Sequence, residues 1–197
     1  LDRFGVDVID LFNSHICPDD REWVSWTLPD GRPAERPAEL KVERDKGGGH
    51  NLRESSGKII ARMPEGCLYF ESIQPPLGEP PSELSSYRLP LLGEDFLERM
   101  ETRAEWLRKN TEYAIVATFG GNILETGQGL RGWGNFMMDL VENRSFAEDL
   151  MDKMVETHLD NLKKFLRAAG DNVDVIFMGD DLGTQNATQI SPEMYHE

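Results

Sequence analysis

Cysteine is scarce: the 197 residues hold two, Cys17 and Cys67, too few for the disulfide framework that staples a small secreted domain. A reducing, cytoplasmic setting is the expectation that follows. Basic side chains are also outnumbered, 21 against 36 acidic, which leaves a formal net charge of −15. Phosphate backbones and anionic lipid surfaces are held by clustered lysine and arginine, so this balance argues against a nucleic-acid partner and against a membrane held by charge. Long apolar runs are missing as well: none approaches the ~20 residues of a membrane-crossing helix, and no signal peptide is expected before Leu1. Internal repeats and low-complexity tracts are lacking too. What is there, 39% hydrophobic and 29% charged side chains, is the make-up of a folded domain with enough chain to bury a core.

Two textures divide the chain into a β-rich part over residues 1–81 and an α/β part over 82–197. In the first, Glu22 to Leu28 alternates polar and apolar at period two, and Pro29-Asp30-Gly31 supplies hairpin chemistry. Leu40 to Arg44, Lys58 to Met63 and Cys67 to Glu71 are further strands, parted by Gly47-Gly48-Gly49, Ser55-Ser56-Gly57 and Pro64-Glu65-Gly66. An antiparallel meander is expected. Four prolines in the eight residues Gln74 to Pro81 preclude a regular element there, so that stretch reads as a connector.

In the second part, Glu94 to Lys109 carries Phe96, Leu97, Met100, Ala104 and Leu107 near helical spacing. Glu112 to Phe119, closed by Gly120-Gly121, suits a buried parallel strand. Ser145 to Ala169 is the clearest helix, with Ser145 and Glu148 in capping-box positions and Gly170 at its end. Its apolar stripe runs through Phe146, Leu150, Met154, His158, Leu162, Phe165 and Ala169, which makes His158 a core histidine. Val173 to Gly179 follows as a second buried strand. Strand, helix, strand implies a parallel pair joined by a right-handed crossover. Ser191-Pro192-Glu193 opens a further helix. One parallel pair cannot close a sheet, so the chain is expected to be a piece of a larger domain.

Candidate chemistry gathers where parallel strands end. Asp180 and Asp181 follow the Val173 strand, with Gln185 beyond them. Adjacent acids point different ways, so at most one faces a pocket while the other caps or pairs. A turn in which both only shape the backbone is the alternative. The loop Gly120 to Gly132 offers Asn122, Glu125 and Arg131 as substrate-binding side chains, and its glycines admit close approach. Gly127, Gly129 and Gly132 fit a loose Gly-x-Gly-x-x-Gly, yet not between a strand and a helix as a dinucleotide fingerprint requires. His15-Ile16-Cys17 has two-ligand zinc spacing without an evident second pair, and Cys17 beside Pro18 also reads as a plain small residue.

Phe177-Met178-Gly179-Asp180-Asp181-Leu182-Gly183-Thr184-Gln185-Asn186, followed by Ile190-Ser191-Pro192-Glu193-Met194-Tyr195, resembles the middle of the uroporphyrinogen decarboxylase superfamily. Leu130-Arg131-Gly132 to Met137-Met138-Asp139-Leu140-Val141 is similar to it as well, as is Asp7 to Leu77 with its Leu-Pro-Asp-Gly turn. The resemblance implies a (β/α)8 TIM barrel with its site at the carboxyl face of the strands, here a partial barrel carrying an antiparallel meander in its amino-terminal half. It implies either a methyltransferase that works with a corrinoid (cobalamin) protein on a small-molecule substrate, or a decarboxylase of porphyrin biosynthesis. Asp180 and Asp181 would be the catalytic acids. Zinc, where the methyltransferases use it, would draw its ligands from outside this chain, and His15-x-Cys17 is at the wrong place to supply them. The decarboxylase's arginine-rich segment and its substrate-contacting tyrosine have no counterpart, since Asn122-Ile123-Leu124-Glu125 stands where that tyrosine would be. A non-catalytic scaffold is the third reading.

Overall fold

A computed structural model describes residues 5–12, 22–38, 40–53, 56–78 and 84–196. The chain is mixed α/β and forms two units. One takes in Leu1–Pro18, Glu83–Gln128 and Trp133–Glu197, the other Asp19–Ser82 and Gly129–Gly132.

The first unit is built on three parallel strands, β1 (Val8–Asp10), β8 (Ala114–Gly120) and β9 (Val175–Met178), lying side by side in chain order. β8 is central, with Ile9 opposite Ile115 and Ala117 opposite Ile176. The pair expected from sequence is thus a triplet, whose additional member is only three residues long. The sheet is open and does not close into a barrel. Helices α1 (Glu94–Asn110), α2 (Leu124–Arg131), α3 (Trp133–Glu142), α4 (Arg144–Ala169) and α5 (Pro192–His196) accompany the strands, with a 3-10 turn, Gly170–Asn172, leading into β9.

Alternation decides which face of the sheet is covered. Ile9, Ile115 and Ala117 point to one side and meet Met100, Ala104 and Leu107 of α1 and Phe165 and Ala169 of α4. Phe12 stacks between Phe96 and Phe165, with ring centroids 6.0 and 5.6 Å away. On the other side Val8, Val175 and Phe177 stand about half exposed.

Helix α1 starts with Glu94 and Asp95 and ends with Arg108 and Lys109, each sign set against the matching end of the helix dipole. Helix α4 departs from expectation at both ends. Its N-cap is Asn143, and Ser145 lies inside the helix, so no capping box forms; Glu148 instead pairs with Arg144 at 3.5 Å. Gly170 keeps right-handed angles and hands over to the 3-10 turn. The buried stripe also shifts: Asn161 is in the core where Leu162 was expected, because its amide accepts from Leu92 N (2.9 Å) and donates to Pro90 O (3.2 Å). That bond pair fastens the segment before α1 onto α4. The helix expected after Ser191 is α5, where Ser191 Oγ accepts from Met194 N at 3.2 Å.

The second unit holds two antiparallel sheets where one meander was expected. β2 (Trp23–Thr27) and β3 (Pro33–Pro37) form a hairpin around Gly31, which needs its φ of +85° for the turn. β4 (Lys41–Arg44), β5 (His50–Arg53), β6 (Ile59–Met63) and β7 (Glu71–Ser72) pair in sequential order. The β4–β5 turn is tied by Asp45, whose Oδ1 accepts from Gly47 N and Gly49 N while Oδ2 pairs with Arg62 at 2.7 Å.

Candidate functional site

The three parallel strands end at one edge of the sheet, which is where ligands bind in such architectures. β1 ends in Asp10, whose Oδ2 accepts from Thr118 Oγ1 of β8. Neither residue is singled out by sequence, since the contact spans 108 positions. β8 then runs into Gly120 and Gly121, both at positive φ (+85° and +75°), and a Cβ on Gly121 would meet Met178 Cε at 2.6 Å. This double glycine turns the chain sharply into α2.

Asn122 and Glu125 are brought together there. The Asn122 side-chain amide donates to the Glu125 carboxylate, and the Asn122 carbonyl lies 3.1 Å from His158 Nε2. His158 is therefore partly buried against this loop from α4 rather than simply enclosed in the core. Asp180, at the end of β9, reaches the same loop. Its Oδ2 accepts from Ile123 N (2.7 Å) and Leu124 N (2.5 Å), and its Oδ1 from Glu125 N (3.0 Å). Those amides open α2, where the first N–H groups of a helix have no partner of their own. Asp180 also walls a cavity of about 220 Å³ whose other lining includes Leu124, Leu140, Met151, Leu182 and Ile190.

Asp181 faces elsewhere. It is exposed, its Oδ1 accepts from Gly183 N at 3.1 Å, and its carbonyl accepts from Gln189 Nε2 at 2.8 Å. Beyond it the chain folds back on itself, with Gly183 bridging Thr188 and Thr184 Oγ1 accepting from Asn186 N and Ala187 N. Gln185 sits exposed at that tip. Gln189 anchors the loop: its Oε1 accepts from Gln128 Nε2 (2.9 Å) and Trp133 Nε1 (3.1 Å). A lone glutamine in a polar stretch carries no local signal for such a role.

Arg131 belongs to the second unit, where it is buried and Nη1 donates to Leu77 O at 3.0 Å and to Gly78 O. The stretch read as a ligand loop is largely the helix α2, and Gly127 serves packing within it: a Cβ there would fall 2.3 Å from Phe136 Cζ.

Among the described residues no three His, Cys, Asp or Glu side chains converge to hold a metal. His15-Ile16-Cys17 lies outside the described residues. Among the described residues no helix is long and apolar enough to cross a membrane. Two groupings therefore make up the site, Asp10 with Thr118, and Asn122 with Glu125, His158 and Asp180. No family model matches the chain, and neither a curated protein nor a solved structure matches it significantly.

Proposed function

We propose that the first unit is part of a (β/α)8 barrel of the uroporphyrinogen decarboxylase superfamily, and that the protein is a cytoplasmic methyltransferase acting with a corrinoid protein on a small-molecule substrate. The observation that carries this reading is the order of β1, β8 and β9. Three parallel strands adjacent in chain order, all running to the same edge, are laid down as a singly wound barrel lays them.

The side chains at that edge favour methyl transfer over decarboxylation. A polycarboxylated tetrapyrrole needs cations in its pocket, whereas Arg131, the cation of the α2 segment, is bonded to backbone carbonyls. The edge carries Asp10, Glu125, Asp180 and Asp181 instead. In methyl transfer from a methylated corrinoid to a thiol, a carbon–sulfur bond forms and the cobalt–carbon bond breaks. The bonding pair stays on cobalt, and the thiol proton must be accepted. Glu125 is the acid placed to take it, and Asn122 the neutral group placed to hydrogen-bond substrate. Among the described residues the donor set does not form a zinc site, and zinc in this reading draws its ligands from outside them.

The test is incubation of the protein with methylcobalamin and a panel of thiols, followed at the absorbance of cob(I)alamin. Cob(I)alamin and the matching methyl thioether are expected to appear together. Silence across the panel removes the reading, and carbon dioxide released from uroporphyrinogen would put the decarboxylase in its place.

A further inference from the structure

We infer that Asp180 is a positioning residue: from the end of β9 its carboxylate fixes the backbone of Ile123, Leu124 and Glu125, and so sets the site that Asn122 and Glu125 present. The inference rests on the proposed function only for where substrate binds.

Helix α2 needs outside help to start. Its first residue is Leu124, which places Ile123 at the N-cap position, and an isoleucine side chain has no acceptor to offer. A local Ser, Thr, Asp or Asn would ordinarily fill that role. Here the acceptor arrives from 55 to 57 residues further along the chain, with both carboxylate oxygens engaged. Its negative charge also suits the positive end of the helix dipole.

The same bonds reach the site. Glu125 is held at its N–H by Asp180 and through its own carboxylate by the Asn122 amide, while the Asn122 carbonyl is next to His158. Moving Asp180 therefore moves Glu125, Asn122 and their shared geometry at once. A carboxylate whose oxygens face three backbone donors is aimed at the fold, so its influence on substrate passes through Asn122 and Glu125.

Asp180→Ala and Asp180→Asn test this by two readouts. In Asp180→Ala, hydrogen exchange at the Ile123, Leu124 and Glu125 amides should speed up by at least about tenfold, while the β8 amides keep their protection. With methylcobalamin and a thiol, KM should rise about tenfold with kcat within about threefold, the pattern of lost ground-state positioning. Asp180→Asn, which keeps one acceptor oxygen in the same shape, should restore part of both effects and covers the case in which the alanine variant does not fold. Unchanged exchange at those three amides overturns the inference. So does a fall of about 10²-fold or more in kcat at constant KM, as loss of a general acid or base would give. Absence of turnover in the unaltered protein removes the proposed function instead, and the exchange readout still decides the role of Asp180.

Discussion

Gly127 and Gly129 lie two positions apart in α2 and answer to different neighbours. A Cβ on Gly127 would stand 2.3 Å from Phe136 Cζ, and Phe136 is fully buried, so its ring has nowhere to go. A Cβ on Gly129 meets nothing within 4 Å. Helix propensity favours alanine over glycine by about 1 kcal/mol at either position. At Gly127 overpacking of about 1–3 kcal/mol opposes that gain and should win. Urea denaturation is therefore expected to show Gly127→Ala destabilised and Gly129→Ala neutral or slightly stabilised. Equal midpoints for the two variants would refute the close packing of α2 on Phe136. These glycines also show what a sequence conceals. As punctuation they read as loop, because a Gly-rich string forecasts flexibility unless a partner such as Phe136 requires the missing side chain.

At the scale of elements, Asp174 joins three of them. Just before β9, its Oδ2 accepts from Ile115 N of β8 and from Arg108 at the end of α1, both at 2.8 Å. The Ile115 amide, and then the Arg108 guanidinium, hold the carboxyl below its usual range. A carboxyl lowered in the native state stabilises it fully above about pH 4, the unfolded value for aspartate, and that contribution is lost as pH falls through the lowered native value. Replacing it by asparagine should therefore cost more at neutral pH than in acid. Urea midpoints of the protein and its Asp174→Asn variant are expected to lie apart at about pH 7 and to converge towards about pH 3; a constant gap would show that the charge is immaterial.

Helices α1 and α4 and strands β8 and β9 were legible because each carries its own periodicity. The elements that were not legible depend on something distant. β3 begins and ends in proline and becomes a strand by pairing with β2, while His50-Asn51-Leu52-Arg53 is too polar to announce β5 without β4 and β6 beside it. At the site, Asp180, Asn122 and Glu125 could be named from their place after strands. Asp10, Thr118 and Gln189 could not, since what distinguishes them is a bond across the fold.

For the whole molecule, the placement of β1 governs the order of assembly. The antiparallel sheets of the second unit join neighbours in the chain, so their pairings close small loops at little entropic cost. β1 must instead find β8 across about a hundred intervening residues, and the bond between Asp10 and Thr118 closes a span of 108. Local pairings form sooner than distant ones. In pulsed hydrogen-exchange labelling during refolding, the β5 and β6 amides should be protected before Ala114 N, which donates to Asp7 O, and Leu11 N, which donates to Val116 O. Protection of Ala114 at the earliest times would contradict this. The three-residue strand at one end of the chain is thus the latch of the parallel sheet. Until it closes, Asp10 has no Thr118 to meet, and the edge that gathers the site's carboxylates is incomplete on one side.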